Sequence, residues 1–234
     1  MPTSPATLRG LSAADTWDHE NGFYWFSDPR RIHKLLAHWE LYRRIAGLPG
    51  DVVECGVYKA ASLVRWVTFR DGLEAARARR IVAFDAFGAF PRDAVEGNAD
   101  RAFIARFEAA GDGLSPEEVR AVLDGKGIGE NVHLVPGDIR ATLPAWLAQA
   151  PATRIALLHL DMDVHEPTAL ALDLLWERVV PGGILVIDDY NAVEGATRAV
   201  DAWLATQPAL RLEKLPFAHV PAYVVKPARA GCPG

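Results

Sequence analysis

Two apolar runs that end in carboxylates constrain this chain more than any other feature. IALLHLDMDVHEPT, Ile155 to Thr168, meets Asp161 and Asp163, and GGILVIDDYN, Gly182 to Asn191, meets Asp188 and Asp189. Short apolar runs bounded by turn residues read as buried strands. Acids are poor material for a core, because an ionised carboxylate out of water is costly unless a metal, a cation or a set of donors satisfies it. Open α/β sheets collect ligands just beyond the carboxyl ends of their strands. The expectation is that the two strand ends lie side by side and hold a divalent cation.

The rest of the chain supplies the sheet. Asp51 to Cys55 reads as a strand, Gly56 as a turn, and Ala60 to Arg70 as a helix. A second strand, in RRIVAFDAFGAF, ends in Asp85, and a third, Val132 to Val135, ends in Gly137-Asp138. RATLPAWLAQ is helical, and EPTALALDLLWERVVPGG is a helix closed by Pro181-Gly182-Gly183. A helix around Ala196 to Ala205 and two strands near Leu210–Lys214 and Ala222–Lys226 finish the chain. Strands alternating with helices and ending in a strand pair predict a doubly wound α/β sheet of about seven strands with an antiparallel terminal strand.

Residues 91–130 read as polar and helical, with a capping box at Ser115 and Glu118 and core contacts at Phe103, Ile104, Phe107, Val119 and Val122. Residues 1–20 show no apolar periodicity and read as weakly ordered. Asp28-Pro29 reads as a helix start, followed by an apolar stripe from Ile32 to Ile45. The aromatic cluster Phe23 to Phe26 either packs on the core or forms a lid over a pocket. The expected division is an N-terminal arm and helix over 1–48 and one main domain over 49–228.

With a net charge of −5 the chain has no basic bias toward nucleic acid or an anionic membrane. It has no apolar run of the roughly 18–20 residues that a membrane span needs. The N-terminus lacks the apolar core of a signal peptide, so a cytoplasmic location is expected. Cys55 reads as a buried structural thiol and Cys232 lies in a Gly/Pro-rich tail, with no disulfide or zinc pattern. His159, Trp146, Trp176 and Trp203 read as core residues, and His33, His38 and His133 show no partner in the sequence.

The strand–Gly56–helix unit aims backbone N–H groups at an anionic ligand. Asp85, one βα unit later, suits the hydroxyls of a ribose or the cap of the next helix. At this point GDVVECGVYKAAS, IVAFDAFGAFP, LVPGDI, ALLHLDMDVHEPT and VPGGILVIDDYNAVEGATRAVDAWL together resemble the macrocin O-methyltransferase family. That resemblance runs from about Ile32 to Leu204. It implies a class I methyltransferase (Rossmann-like) fold with an N-terminal helical or lid segment. It also implies an S-adenosyl-L-methionine- and Mg2+-dependent enzyme that methylates a deoxysugar hydroxyl in antibiotic biosynthesis.

The resemblance further implies that Glu54, Gly56, Tyr58 and Ser62 hold the methionine end of the cofactor. Asp85 would bind its ribose, Asp138 would lie by the adenine, and Phe87 and Ile139 complete the cofactor set. Asp161, Asp188 and Asp189 would be the magnesium ligands, with Asp163 in a supporting or helix-capping role. A sugar diol could occupy open magnesium positions, and the metal would lower the pKa of the hydroxyl to be methylated.

Two positions depart from the family pattern: Ala60 stands where glycine is usual and His165 where tyrosine is usual. The added methyl of Ala60 either crowds the cofactor carboxylate or strengthens the helix start. His165 either serves as general base at the mouth of the site, in place of metal-bound Asp161, or packs against Glu166. The expected acceptor is a small-molecule glycoside and the expected state a homo-oligomer. Competing readings are a catechol or phenolic O-methyltransferase, a non-catalytic cofactor-binding partner subunit, and a nucleotide-sugar dehydrogenase. The last lacks the G-x-G-x-x-G that should follow the first strand.

Overall fold

A computed structural model of the chain describes residues 7–88 and 111–228, with 100–102, 104, 105 and 109 between them. Phe90, Pro91, Phe103, Phe107 and Cys232 from the sequence reading lie outside the described residues. Before the sheet come a two-residue hairpin, β1 (Thr7–Leu8) and β2 (Leu11–Ser12), and helices α1 (Thr16–Phe26) and α2 (Arg30–Ile45). There follow β3 (Asp51–Cys55), α3 (Ala61–Leu73), β4 (Ile81–Asp85), α4 (Pro116–Gly125), β5 (Val132–Pro136) and α5 (Ile139–Gln149). The chain continues through β6 (Ile155–Leu160), α6 (His165–Leu175), β7 (Val179–Ile187), α7 (Glu194–Ala205), β8 (Glu213–Lys214) and β9 (Ala222–Val225).

Seven strands form one sheet in the order β5-β4-β3-β6-β7-β9-β8. β3 to β7 run parallel, and β9 enters antiparallel to both β7 and β8. This is the doubly wound sheet with an antiparallel final strand that the alternation predicted, and that strand, β9, lies between β7 and the edge strand β8. β6 is buried at all six positions, as a strand covered on both faces must be. The period of two then divides its apolar residues between two cores. Leu157 faces Leu41, Tyr42, Leu63 and Trp66 of α2 and α3, and Leu158 faces Leu143, Leu172 and Val200 of α5, α6 and α7. The Trp176 and Trp203 rings meet edge to face at 5.2 Å in the second core, and Cys55 is buried there as a free thiol. Among the described residues no helix is long and apolar enough to cross a membrane.

Four local expectations need correction. Residues 7–26 are not weakly ordered: the Ser12 side chain accepts a hydrogen bond from Ala14 N–H at 3.1 Å, and α1 follows. No residue of α1 is buried, so the helix carries no apolar stripe by which the sequence could show it. The aromatic cluster therefore ends α1 instead of preceding the first helix, and Trp17, Tyr24, Trp25 and Phe26 are 59–82% exposed. Pro181-Gly182-Gly183 lies inside β7 and does not close a helix. The strand expected at Leu210–Lys214 shortens to Glu213–Lys214.

The capping box at Ser115 and Glu118 forms in both directions. Ile104 and Val119 are buried as expected, and Val122 is half-buried.

Candidate active site

Register decides the site. Leu160 of β6 pairs with Ile187 of β7, so the next residues of each strand, Asp161 and Asp188, emerge beside one another. The hydrogen-bond ladder runs one step past the strand ends: Asp188 N–H donates to Leu160 O at 2.9 Å, and Asp161 N–H to Cys55 O at 2.8 Å. Gly56 follows Cys55 with φ 96°, and a Cβ built there would overlap the carbonyl of Asp161. Glycine at 56 is thus demanded by the backbone of the acidic loop as much as by any ligand.

A cavity of about 430 Å3 opens over these ends. Its wall includes Gly56, Tyr58, Ser62, Asp85, Asp138 and Ile139 from the expected cofactor set. Asp161, Asp163, Asp188 and Asp189 line it as well, so all three expected metal ligands converge. Glu54, Phe87 and His165 are not on that wall. His165 begins α6, with its backbone close to Gly195. The Asp85 carboxylate clamps two loops: Oδ2 accepts from Val57 N–H at 2.6 Å and Tyr58 N–H at 3.0 Å, and Oδ1 accepts from Phe87 N–H at 2.6 Å. Asp138 caps α5, accepting from Arg140 N–H at 2.8 Å.

The acids divide into two groups. Oxygens of Asp161, Asp163 and Asp189 lie within 4.8 Å of one another, and Asp163 N–H donates to Asp189 Oδ2 at 3.2 Å. Burial, and then the charges of Asp188 and Asp189, raise the Asp161 carboxyl; burial, and then Asp163 and Asp188, raise Asp189. Asp163 rises to about 8, mainly through burial and the neighbouring Asp161 charge. Asp163 is not the cap of α6, a place taken by Val164.

Asp188 instead turns to cations. One of its oxygens is paired with the ammonium of Lys34 from α2. The other lies 3.7 Å from His38 Nε2 and 3.6 Å from His159 Nε2, both too long for hydrogen bonds. Burial would raise the Asp188 carboxyl, but Lys34 and the two histidines outweigh it and hold it low.

Behind Asp188 lies a network that the sequence concealed. His159 is fully buried; its Nδ1 is 3.0 Å from Glu54 Oε1 while its Nε2 faces Asp188. Desolvation lowers its pKa, but the two carboxylates prevail and lift it to about 10. His38 stacks on Trp66 with ring centroids 4.4 Å apart, and burial depresses it to about 3. His159 is thus a core residue as expected, but an ionic one. Lys34, Arg31 and Arg65 also line the cavity, and sequence reasoning missed all three. Their only sequence signal is position: Lys34 and His38 are spaced to share one face of α2.

Comparison with known proteins finds O-methyltransferases. The 4'-O-methyltransferase of Streptomyces olivaceus that acts on 8-demethyl-8-(2,3-dimethoxy-alpha-L-rhamnosyl)-tetracenomycin C is 35% identical over 66% of this chain and 58% of its own. The demethyldecarbamoylnovobiocin O-methyltransferase of Streptomyces niveus is 32% identical over 68% of this chain and 59% of its own. The matches thus span under two thirds of these relatives' lengths. Among solved structures, the O-methyltransferase NovP superposes with a TM-score of 0.73 at 27% identity, covering 84% of this chain and 81% of NovP. CalS11, a calicheamicin methyltransferase, gives 0.68 at 27% identity, covering 92% and 86%. Residues 27–211 match the macrocin-O-methyltransferase (TylF) family, and the chain belongs to that family.

Proposed function

We propose that this chain is a cytoplasmic, S-adenosylmethionine- and magnesium-dependent O-methyltransferase that acts as a homo-oligomer on a sugar hydroxyl in antibiotic or related secondary-metabolite biosynthesis. The observation that carries the reading is the convergence of Asp161, Asp188 and Asp189 with the Gly56 turn on one cavity. The donor set fits a hard cation: the acids offer only oxygen, and the Lys34 ammonium among them marks where positive charge belongs. The exposed aromatics of α1 support self-association, since an 11-residue helix with no buried residue gains little from its own chain.

Bound S-adenosylmethionine would supply a sulfonium methyl group, and magnesium bound to the acids would supply a Lewis acid that makes the acceptor hydroxyl more acidic. The chain's own part is placement and proton transfer. Gly56 packs directly on the Asp161 backbone, so the turn that receives the cofactor and the acid beside the acceptor are held in one register. Asp161, on the cavity wall, is the group assigned to take the hydroxyl proton; His165 is off that wall.

The test is methyl transfer from labelled cofactor to a panel of glycosides, with isothermal titration of S-adenosylhomocysteine alongside. We expect cofactor binding, activity that a chelator abolishes, and loss of activity without loss of fold in Asp188→Asn. No cofactor binding at millimolar concentration would sink the methyltransferase reading, and full activity in chelator would sink the metal. His165→Tyr should change the rate by less than about tenfold, whereas loss of a general base costs roughly 10²–10⁴.

A further inference from the structure

Asp188 is committed on both of its oxygens. Oδ1 faces the interior, 3.7 Å from His38 Nε2 and 3.6 Å from His159 Nε2, and both imidazoles are fully buried. Oδ2 accepts a hydrogen bond from the ammonium of Lys34, 154 positions away along the chain. Oδ1 is sealed from solvent, so Oδ2 is the oxygen that Asp188 can offer to a ligand in the cavity. Asp161, Asp163 and Asp189 form a separate group, with oxygens within 4.8 Å of one another.

Lys34 stands in the second turn of α2, one turn before His38. The helix is anchored, since Ala37, Leu41, Tyr42 and Ile45 are fully buried in the core beneath it. The ammonium is not, because it rides on a flexible four-carbon stem. Lys34 lines the main cavity and also a second one of about 350 Å3, which it shares with Asp28. The stem can carry its charge from the acids to that second cavity while the helix stays where it is. Magnesium takes oxygen ligands at about 2.0–2.1 Å and shares an oxygen poorly with an ammonium, because the like charges repel at such range.

We infer that Lys34 is a built-in competitor for the metal: its ammonium and a magnesium ion contend for Oδ2 of Asp188. Asp188 joins Asp161 and Asp189 around the cation as Lys34 swings toward the second cavity. Lys34 is thus a positioning residue that acts through Asp188 and sets the metal concentration at which the site fills. Filling the site also frees an ammonium on the cavity wall. The inference rests on the magnesium reading above.

The test uses the full chain and titrates Mn2+, a hard cation that suits carboxylate ligands and whose free form electron paramagnetic resonance counts, with Mg2+ as competitor. Lys34→Met keeps the length of the stem and removes the charge, and Lys34→Arg keeps the charge. The expected result is that Lys34→Met binds both cations tenfold or more tightly than the unaltered chain, while Lys34→Arg binds them no more tightly than it. In chelator Lys34→Met should melt below the unaltered chain, and saturating Mn2+ should close that gap. Equal or weaker metal binding in Lys34→Met overturns the competition, and so does equal tightening in Lys34→Arg. Failure of the magnesium reading is distinct: neither the unaltered chain nor Lys34→Met then binds Mn2+ at millimolar concentration. Binding by Lys34→Met alone would support the competition in its strongest form.

Discussion

At the scale of single residues, some strain lies on the cavity wall, at Tyr58 and Asp163, and some in the loops around it. Tyr58, Ala60, Phe87, Asp163 and Asn191 all have φ between 49° and 66°, a region that side chains other than glycine enter at a cost. Ala60 shows the cost of a side chain in this region: the backbone there is left-handed, and its methyl is buried and off the cavity wall. Ala60→Gly should raise stability by up to about 1 kcal/mol in urea unfolding, the relief of strain exceeding the entropy that glycine adds to the unfolded chain. A clear loss of stability would contradict the strain. His159 presents the opposite case, a buried cation between Glu54 and Asp188. His159→Leu leaves the buried Glu54 carboxylate without its partner and Asp188 with Lys34 alone, and should cost about 3–5 kcal/mol, with part of the loss recovered by adding Glu54→Gln. None of this was legible in the sequence, because the partners lie 105 and 29 positions away along the chain.

At the scale of elements, the alternation of strands and helices was readable because each carries its own period and its own stops. The Ser115–Glu118 capping box is as local as a signal can be, and it formed. α1 was unreadable for the same reason inverted: nothing on it is buried. α2 does bury a face, through Ala37, His38, Leu41, Tyr42 and Ile45, and Leu41→Ala should cost about 2–5 kcal/mol in chemical unfolding.

The paired ends of β6 and β7 give a pH dependence. Asp161 and Asp189 are raised and Asp163 reaches about 8, so from about pH 4 to 8 the folded chain holds more protons than the unfolded one. Stability then falls as pH rises through that window. His159, at about 10 against an ordinary 6.5, acts in the same direction above about pH 6.5. Asp188 is held low, so its contribution falls away only below about pH 4. In chelator the Tm should drop between pH 5 and 8, and the rise on adding magnesium should grow with pH, since a cation needs the ionised acids. A Tm indifferent to both would remove the cation site.

For the whole molecule, the exposed aromatics of α1 set the expectation. Sedimentation should show a dimer or larger assembly, and replacing Trp25 and Phe26 together by Ser should shift it toward monomer; an unaltered chain that sediments as a monomer would end the proposal of self-association. Family membership and the sheet were legible from the chain because apolar period, turn chemistry and two acid-tipped strands are written locally, residue beside residue. The placement of charge was not. Asp188 turned toward Lys34 and His38, Asp163 joined Asp161 and Asp189, His165 stayed off the cavity wall, and Arg31 and Arg65 came to share that wall. By itself the sequence determined which residues could be strands, helices and candidate ligands. Only the tertiary structure decided which charges face one another, because electrostatic partners are chosen by distance in space and by burial, neither of which has a period along the chain.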